Sequence, residues 1–364
     1  MNVSMGIIRQ HIQEMPPYEP IFPLEVLSKE LGIPVKNLVK LDANENPYGP
    51  LPEVKMALSE METLHIYPDP ESRRIKNILA THHGIREESI VIGAGADELI
   101  DLIMRIVVEP GDVVLNCPPT FGMYGFDGEL NKAQLEIVPR RSDYSLDISK
   151  INQAVRDHHP KLLFLANPNN PDGSLISDKQ FKQLLELPLL LVIDEAYIQF
   201  SDQGRTYLNE VCNFTNLIVL RTFSKWAGLA GLRIGYGIFP EEIVPDLMRA
   251  KQPYNVSVAA EEAAVITMNH LPQAKRKIAK IIEGRAYLYS ELLQIPWLKP
   301  YPSQANFILC QVEGYSARDV KQHLRNQGIL IRYFDKPGLS DHIRISIGTR
   351  KQMEKLIIAL KGFK

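Results

Sequence analysis

The chain has 364 residues, 45% of them hydrophobic and 8% aromatic, and its formal charge at pH 7 is -2. This near-neutral charge does not favour nucleic acid or a membrane surface as the main partner. The length exceeds what one compact core usually holds, so we expect a globular enzyme with two subdomains.

The cysteines and the absence of sorting patterns favour a cytoplasmic protein. Cys117, Cys212 and Cys310 are far apart, which argues against a disulfide framework or a structural zinc site. We expect them to be buried, reduced thiols, and we predict no metal site. A secretory signal is not apparent, and the longest apolar run, at 189–193, is too short to cross a bilayer.

Residues 1–50 are predicted to form an N-terminal arm and part of a small domain. Pro16 and Pro17 disfavour a regular helix near the start of this segment, so we expect an extended arm there. Tyr18 lies on this arm, where it either packs against the protein or reaches a site.

Residues 51–262 are predicted to form a large domain. Short apolar segments alternate with helical patterns there, which indicates an α/β fold with a mainly parallel sheet covered by helices. Helices are expected at 52–61 and 71–82. The predicted strands are 90–92, 113–115, 162–166, 189–193, 217–220 and 234–238. Continuous apolar runs such as 162–166 are typical of strands buried on both faces.

Residues 263–364 are predicted to form a smaller α+β domain. A long helix is expected from about 261 to 293, with an interruption near Pro272, and a closing helix is expected near 350–360. The segment 342–348 alternates polar with apolar residues, which predicts a half-exposed antiparallel strand.

A glycine-rich turn, Gly93-Ala94-Gly95-Ala96-Asp97-Glu98, follows the first strand of the large domain. Free backbone N–H groups at a helix N-terminus bind anions. Glu98 stands where the dinucleotide fingerprint requires glycine, so the turn predicts a cradle for a single phosphate that includes Ala96 and Asp97. A purely structural strand-to-helix turn is the alternative.

The segment after the strand at 217–220 contains the candidate nucleophile, Lys225. Open α/β sheets place ligand sites just past the ends of buried strands, where burial disfavours the ammonium form of lysine. The neutral amine can form a Schiff base with a carbonyl or with pyridoxal 5'-phosphate (PLP). Ser224 and Arg233 are able to hold a phosphate beside it. The alternative is a solvated surface lysine.

The ends of the other strands supply the remaining groups that PLP needs. The cofactor requires a carboxylate at its pyridine nitrogen, donors at its ring hydroxyl, an aromatic ring against one face and a phosphate cluster. The candidates, in this order, are Asp194; Asn170 and Tyr197; Phe121; and Ala96, Asp97, Ser224 and Arg233. Solvated turns explain any one of them, but they do not explain why each strand ends in a group useful to the same cofactor.

Several motifs resemble those of the fold-type I, class II aminotransferases. They are Asn170-Pro171-x-Gly173, Asp194-Glu195-Ala196-Tyr197, Ser224-Lys225 and Gly231-Leu232-Arg233-Ile234-Gly235. Further segments are similar to the histidinol-phosphate aminotransferases within that family. These are Asn44-Glu45-Asn46-Pro47, Tyr67-Pro68, Gly95-Ala96-Asp97-Glu98, Cys117-Pro118-Pro119-Thr120 and Ile343-Arg344-Ile345-Ser346-Ile347-Gly348-Thr349.

The resemblance implies a PLP-bound homodimer with a large sheet domain and a smaller domain made from both chain ends. It implies amino transfer between L-histidinol phosphate and 2-oxoglutarate. The products would be imidazole acetol phosphate and L-glutamate, as in histidine biosynthesis.

The resemblance also implies roles for individual residues. Lys225 would hold the cofactor and move protons, Asp194 would face the pyridine nitrogen, and Arg344 would bind the carboxylate of the amino acceptor. Asn170 and Tyr197 would meet the ring hydroxyl. The residues implied to surround the substrate are Tyr18, Asn46, Tyr67, Arg332 and Arg344, and Tyr67 would also reach the cofactor, from the partner subunit.

Three positions depart from the family's pattern. Phe121 stands where tyrosine is common, Asp172 where threonine is usual, and Trp226 where a small residue is usual. None of them removes a required group, although Asp172 places a charge near the ring loop.

Other functions remain open at this stage. An aromatic amino-acid aminotransferase or a threonine-phosphate decarboxylase of the same fold would keep the same PLP residues. A PLP-binding regulator would carry a DNA-binding segment, and no basic helix-turn-helix pattern precedes Tyr18. An NAD oxidoreductase is opposed by Glu98, which breaks its glycine pattern.

Overall fold

The computed structural model describes residues 6–16 and 22–363. Its strands are β1 (Val39–Leu41), β2 (Ile90–Gly93), β3 (Val113–Asn116), β4 (Gln134–Ile137), β5 (Leu162–Ala166), β6 (Leu190–Asp194), β7 (Leu217–Thr222), β8 (Gly235–Ile238), β9 (Leu298–Pro300), β10 (Phe307–Val312), β11 (Ile329–Tyr333) and β12 (His342–Ser346). Its α-helices are α1 (Gln10–Glu14), α2 (Leu24–Leu31), α3 (Pro52–Ser59), α4 (Arg73–His83), α5 (Ala96–Val107), α6 (Met123–Leu130), α7 (Ile148–His158), α8 (Asp178–Leu185), α9 (Val244–Ala250), α10 (Val258–Asn269), α11 (Leu271–Leu292), α12 (Ala317–Asn326) and α13 (Arg350–Lys361).

A seven-stranded sheet in the order β2-β8-β7-β6-β5-β3-β4 contains the strands that end at the candidate site residues. Neighbouring strands are parallel except around β8, which runs antiparallel to both β2 and β7. The side chains of β5 alternate between two cores: Leu163 and Leu165 enter one, and Leu162 and Phe164 enter the other. Both faces of the sheet are therefore covered, and the predicted α/β fold is confirmed.

A five-stranded sheet in the order β1-β11-β12-β10-β9 combines both ends of the chain. The first strand, β1, pairs in parallel with β11, whereas the other pairs are antiparallel. Strand β1 is not apparent from the sequence, because three residues are too few to display an alternating pattern. This pairing brings the loop after β1, which contains Asn44 and Asn46, close to the C-terminal strands.

The prediction of an extended N-terminal arm is wrong for residues 24–31, which form α2, and for the short helix α1. Pro23 precedes the first residue of α2, a position where the missing N–H of proline costs no helical hydrogen bond. Leu27 of this helix packs with Leu38 and Leu330, so tertiary packing stabilises it. Tyr18 lies outside the described residues.

The prediction of a half-exposed strand at 342–348 is also wrong. All five residues of β12 are buried. Ile343 and Ile345 enter the hydrophobic core. On the other face, Arg344 donates a hydrogen bond to Asn170, and Ser346 is hydrogen-bonded within the protein. Buried polar partners therefore replace the water that an alternating pattern normally indicates.

The long helix predicted at 261–293 is interrupted, as expected, near Pro272. It is divided into α10 and α11 at His270, and Pro272 lies in the first turn of α11. Proline fits that first turn because no intrahelical acceptor is available there for an N–H group.

The expectation that all three cysteines are buried is wrong for Cys212, which is exposed, whereas Cys117 and Cys310 are buried; all three are free thiols. No helix in the described part of the chain is long and apolar enough to span a membrane. Across residues 6–16 and 22–363, no cluster of three or more His, Cys, Asp or Glu side chains is placed to hold a metal ion.

Candidate active site

A pocket lies at the carboxyl ends of β5, β6 and β7, the edge at which parallel sheets place their ligand sites. Nine of the ten residues predicted to bind a cofactor line this pocket, and Tyr67 is the exception. The pocket is lined by Ala96, Asp97, Phe121, Ala166, Asn170, Asp194, Ala196, Tyr197, Thr222, Ser224, Lys225 and Arg233. Residues spread over more than 130 positions of sequence are thus brought together by the order of the strands.

Lys225 follows β7 in a loop that is fixed by its own hydrogen bonds. The backbone N–H of Ser224 donates to Thr222 Oγ1 at 3.0 Å, and Thr222 Oγ1 donates to Ser224 Oγ at 2.8 Å. Lys225 Nζ donates to the carbonyl of Ala43 at 3.3 Å. Burial, reinforced by the positive charge of Arg344, lowers the pKa of Lys225 to about 8. A useful fraction of the amine is therefore neutral near physiological pH.

Asp194 ends β6 and is only 4% exposed. It accepts hydrogen bonds from the hydroxyl of Tyr124 at 2.8 Å and from the backbone N–H of Ala196 at 3.0 Å. Burial raises the pKa of Asp194 to about 6, although these two donors oppose the rise. The elevated pKa indicates that this carboxylate would gain from a cationic partner, since the charged form is otherwise disfavoured by burial.

The predicted phosphate cradle lies at the N-terminus of α5, where Gly95 is the cap and Ala96 and Asp97 begin the helix. Gly95 has a φ of 88°, and a Cβ there would lie 2.5 Å from Arg233 Nη2. Glycine is therefore needed for the guanidinium to approach the turn. Arg233 donates to Asp97 at 2.9 Å and to Ser224 Oγ at 3.5 Å, so one cation, one hydroxyl and a helix N-terminus converge.

Asn170 and Tyr197 both line the pocket, and each is held by a residue from outside the seven-stranded sheet. Asn170 Oδ1 accepts from Arg344 Nη1 at 2.5 Å, and the Tyr197 hydroxyl accepts from Asn44 Nδ2 at 3.1 Å. Burial raises the pKa of Tyr197, so its hydroxyl remains protonated and available as a donor. Phe121 lies in the same wall, and its ring packs edge-on against Tyr124 with a centroid distance of 5.6 Å.

Arg332 and Arg344 are directly opposite each other on β11 and β12. Arg344 is 6% exposed, burial lowers its pKa to about 10, and its Nε is buried without a hydrogen-bond partner. In the part of the chain that the structure describes, neither arginine forms a salt bridge with a carboxylate. Like charges at opposing positions of a sheet repel, so this pair favours an anionic ligand.

Tyr67 and Asn46, which were also predicted to bind substrate, do not line the pocket. Tyr67 is 78% exposed and stacks on Tyr254 with a centroid distance of 4.7 Å. Both polar atoms of the Asn46 amide are hydrogen-bonded within the chain. Nδ2 donates to the carbonyl of Trp226 at 2.9 Å, and Oδ1 accepts from the N–H of Tyr48 at 3.0 Å. Asn46 therefore connects its loop to the segment that follows Lys225.

Of the three positions that depart from the family's pattern, Asp172 and Trp226 are buried. Asp172 is 2% exposed and accepts from the N–H of Ser174 at 2.8 Å and from the amide of Asn169. The Asp172 carboxylate is thus hydrogen-bonded within its own loop. Trp226 is 5% exposed and packs against Phe223 with a centroid distance of 5.3 Å, which anchors the segment that carries the lysine.

Two pocket contacts were missed in sequence analysis, those of Tyr124 and Asn44. The Tyr124 hydroxyl meets Asp194, and Asn44 donates to Tyr197. Asn44 begins the segment 44–47, which resembles the histidinol-phosphate aminotransferases, and Tyr124 follows the candidate ring-face residue Phe121 by three positions, so the sequence gave some signal for both. Nothing in the local sequence indicates which distant side chain each one contacts.

Residues 36–360 match the family model described as aminotransferase class I and II. The chain is 49% identical over 359 residues to the chloroplastic histidinol-phosphate aminotransferase of Nicotiana plumbaginifolia, which covers 98% of this chain and 87% of that protein. It is 47% identical over 364 residues to the histidinol-phosphate aminotransferase of Roseiflexus castenholzii, which covers 98% of both. The crystal structure of histidinol-phosphate aminotransferase from Sinorhizobium meliloti in complex with pyridoxal-5'-phosphate has a TM-score of 0.90 and 29% identity, covering 98% of this chain and 97% of that one.

Proposed function

The chain belongs to the aminotransferase class I and II family, and we propose that it transfers the amino group of L-histidinol phosphate to 2-oxoglutarate with PLP as cofactor. The products are imidazole acetol phosphate and L-glutamate, which places the reaction in histidine biosynthesis. The observation that carries the proposal is the arrangement of one pocket: Lys225, Asp194 and the N-terminus of α5 share it, and relatives almost half identical over the whole chain are named for this activity.

The donor set of the pocket fits PLP. The N-terminus of α5, Ser224 and Arg233 offer N–H, hydroxyl and guanidinium donors to the phosphate. Asp194 offers a carboxylate whose burial is offset when it pairs with a protonated pyridine nitrogen. Phe121 offers a ring face. When bound, the cofactor accepts the electrons of the bond that breaks at the substrate carbon.

The chain's own residues position the cofactor and move protons. With its pKa lowered to about 8, Lys225 Nζ can both accept and return a proton near neutral pH, which suits it to transfer one at the substrate carbon. Asp194 keeps a proton on the pyridine nitrogen. Asn170 and Tyr197 orient the ring through its hydroxyl oxygen, and Phe121 limits motion across the ring face.

Arg332 and Arg344 would select the phosphorylated substrate. A dianionic phosphate requires more than one cation or donor, and charge-assisted hydrogen bonds from guanidinium groups are the strong ones. The opposing positions of these arginines on β11 and β12 supply two such groups without a neutralising salt bridge in the described residues. In the other half-reaction, Arg344 would bind a carboxylate of 2-oxoglutarate with two parallel hydrogen bonds, a geometry that lysine cannot reproduce.

A direct assay tests the proposal against its alternatives. Purified protein supplied with PLP and 2-oxoglutarate should form glutamate from L-histidinol phosphate much faster than from aromatic amino acids. It should not release carbon dioxide from threonine phosphate. Faster turnover of an aromatic amino acid would favour an aromatic aminotransferase, and carbon dioxide release would favour a decarboxylase of the same fold.

Substitution of the two arginines should have different effects. Arg332→Gln is expected to raise the KM for histidinol phosphate about 10- to 100-fold, since a hydrogen bond to a charged group contributes ~1.5–3 kcal/mol. It should affect 2-oxoglutarate less. Arg344→Lys is expected to weaken the binding of both substrates, because Arg344 is proposed to contact both. Steady-state kinetics of the two half-reactions measures these effects.

The control for these substitutions is Arg249→Gln, which removes an exposed positive charge of α9 and should leave both KM values unchanged. Histidinol without phosphate is the second control. Two results would show that the phosphate site and the substrate assignment are both wrong. One is a wild-type enzyme with equal KM values for histidinol and histidinol phosphate. The other is an Arg332→Gln variant in which the difference between these two KM values is as large as in the wild type.

The active unit is proposed to be a homodimer in which the partner subunit supplies Tyr67 to the site. Tyr67 does not line the pocket of its own chain, although the resemblance assigns it to substrate and cofactor. Its neighbours Leu64 and Ile66 are 66% and 54% exposed, and clustered exposed apolar residues are typical of interfaces.

Mixed dimers test this arrangement. One chain carries Tyr67→Phe with Lys225 intact, and the other carries Lys225→Ala with Tyr67 intact. Each mixed dimer should contain one native site, so random assortment should restore about a quarter of the wild-type sites. Native mass spectrometry establishes that mixed dimers form. If they form and activity is not restored, both residues act within one chain.

The domain boundaries are proposed as an N-terminal part at 1–50, a large PLP-binding domain at 51–262 and a small domain at 263–364. The pairing of β1 with β11 supports the assignment of the N-terminal part to the small domain.

A cytoplasmic location is proposed because the buried thiols of Cys117 and Cys310 are unpaired. Cell fractionation tests the location, and limited proteolysis tests the boundaries.

A further inference from the structure

Asn44 is a buried asparagine in the loop after β1, and the proposed function gives it no role. It is 2% exposed, and its φ of 56° lies in the left-handed region, which asparagine adopts more readily than most residues other than glycine. Its backbone carbonyl accepts a hydrogen bond from Asn306 Nδ2 at 2.9 Å. Burial and this backbone contact hold the residue in one conformation.

Ser346 of β12 orients the amide of Asn44. The backbone N–H of Asn44 donates to Ser346 Oγ at 2.9 Å, and the Ser346 hydroxyl donates to Asn44 Oδ1 at 3.0 Å. A hydroxyl has a single hydrogen to donate. Because that hydrogen is directed at the amide oxygen, the amide nitrogen faces away from Ser346.

The amide nitrogen of Asn44 donates to the hydroxyl of Tyr197 at 3.1 Å, and this contact is buried. A phenol has one hydrogen and two lone pairs. Since one lone pair accepts from Asn44, the hydroxyl hydrogen points in another direction. Tyr197 lines the pocket, and its ring is fixed edge-on against Phe307 with a centroid distance of 5.0 Å. The hydrogen is therefore available to a group inside the pocket.

The same segment contacts Lys225 of the pocket and also Arg344 of β12 through its backbone. The carbonyl of Ala43 accepts from Lys225 Nζ at 3.3 Å, and the carbonyl of Asp42 accepts from Arg344 Nη2 at 2.8 Å. Three consecutive residues therefore contact the lysine, the arginine and the tyrosine, but only Asn44 does so with a side chain.

We propose that Asn44, oriented by Ser346, is a positioning residue that directs the hydroxyl hydrogen of Tyr197 toward the ring oxygen of bound PLP. This inference rests on the proposed function, because it requires that cofactor in the pocket. Asn44 acts only through Tyr197. A donor aimed at the ring oxygen stabilises negative charge there, so the oxygen holds a shared proton less strongly.

The test is a pH titration of the absorption band of the bound cofactor in the holoenzyme. Asn44→Gly keeps the left-handed backbone and both backbone hydrogen bonds and removes only the amide. Asn44→Asp keeps the shape but replaces the donor with an acceptor, which draws the Tyr197 hydrogen away from the pocket. Both should move the titration midpoint upward by about one pH unit, a tenfold change in proton affinity.

A double mutant separates positioning from a merely structural role. Tyr197→Phe removes the hydroxyl and should move the midpoint in the same direction. Adding Asn44→Gly to Tyr197→Phe should then produce no further shift, because Asn44 has nothing left to orient. The melting temperature of each cofactor-free variant is measured in parallel. A lower melting temperature with an unmoved midpoint, or shifts that add in the double mutant, would overturn the inference.

Further results distinguish this inference from the proposed function. Wild-type protein that bound no PLP would overturn both. Wild-type protein that bound PLP, with midpoints unmoved in the Asn44 variants, would overturn only the role of Asn44. If those variants did not fold, Ser346→Ala would provide the test, since it removes the group that orients the amide. It should shift the midpoint upward by a smaller amount, and an unmoved midpoint would contradict the proposal.

Discussion

Replacing Lys225 with alanine is expected to abolish turnover, with a loss of at least about 10⁴-fold, the upper end of what one positioned acid–base group contributes. The loss should be this large because the proposed function gives the amine two tasks, the covalent attachment of the cofactor and the transfer of the proton. Neither Ser224 nor Arg233 can replace it, since neither presents a neutral amine. The measurement is single-turnover glutamate formation with PLP in excess.

Covalent labelling locates the attachment directly. Wild-type protein supplied with PLP should be yellow, and borohydride reduction should fix a pyridoxyl group on the peptide that contains Lys225. Lys277 provides a matched control, because burial also lowers its pKa although it does not line the pocket. Lys277→Ala should leave the label on Lys225. A pyridoxyl group found on another lysine of the wild-type protein would disprove the assignment.

The strands and strand ends that form the pocket could be predicted from the sequence because each is encoded locally. The strand predicted at 162–166 agrees with β5, and its continuous apolar run is sufficient to indicate burial on both faces. Asp194 and Lys225 each follow such a run, so their meeting at one edge follows from the parallel order of the strands. The end of β7 extends to Thr222, two residues beyond the predicted end, because hydrogen bonds to β8 continue the ladder.

The contacts between the two sheets could not be predicted in the same way. Arg344 of β12 and Asn170, which follows β5, are 174 residues apart, and no periodicity in either segment specifies the other. The alternating pattern of β12 was misinterpreted for this reason, since its polar residues face buried partners instead of water. Tyr124 likewise looked like an ordinary aromatic residue, and only the fold reveals that its hydroxyl meets a carboxylate 70 residues away.

Replacing Asp194 with alanine is expected to preserve the attachment of PLP to Lys225 but to lower turnover about a hundredfold or more. A preorganised electrostatic contact contributes ~3 kcal/mol to transition-state stabilisation, and Asp194 is the acidic group that the pocket offers to the pyridine nitrogen. In the proposed function its carboxylate would keep that nitrogen protonated, and a protonated ring accepts electrons better than a neutral one. Turnover and the borohydride label are measured on the same preparation.

The pH dependence of cofactor affinity tests the same contact with a defined sign. Without a cationic partner, Asp194 has a pKa of about 6 because it is buried. Pairing with a protonated pyridine nitrogen favours the carboxylate, so the affinity gained from this contact is fully present above pH 6 and is lost as the pH falls below it. The ratio of wild-type to Asp194→Ala affinity for PLP should therefore decrease from pH 7 to pH 5. Tyr124→Phe is the control, because it removes only a hydrogen bond to Asp194 and should keep most of that ratio. A ratio that is near one at pH 7, or that does not change with pH, would show that Asp194 does not pair with the cofactor.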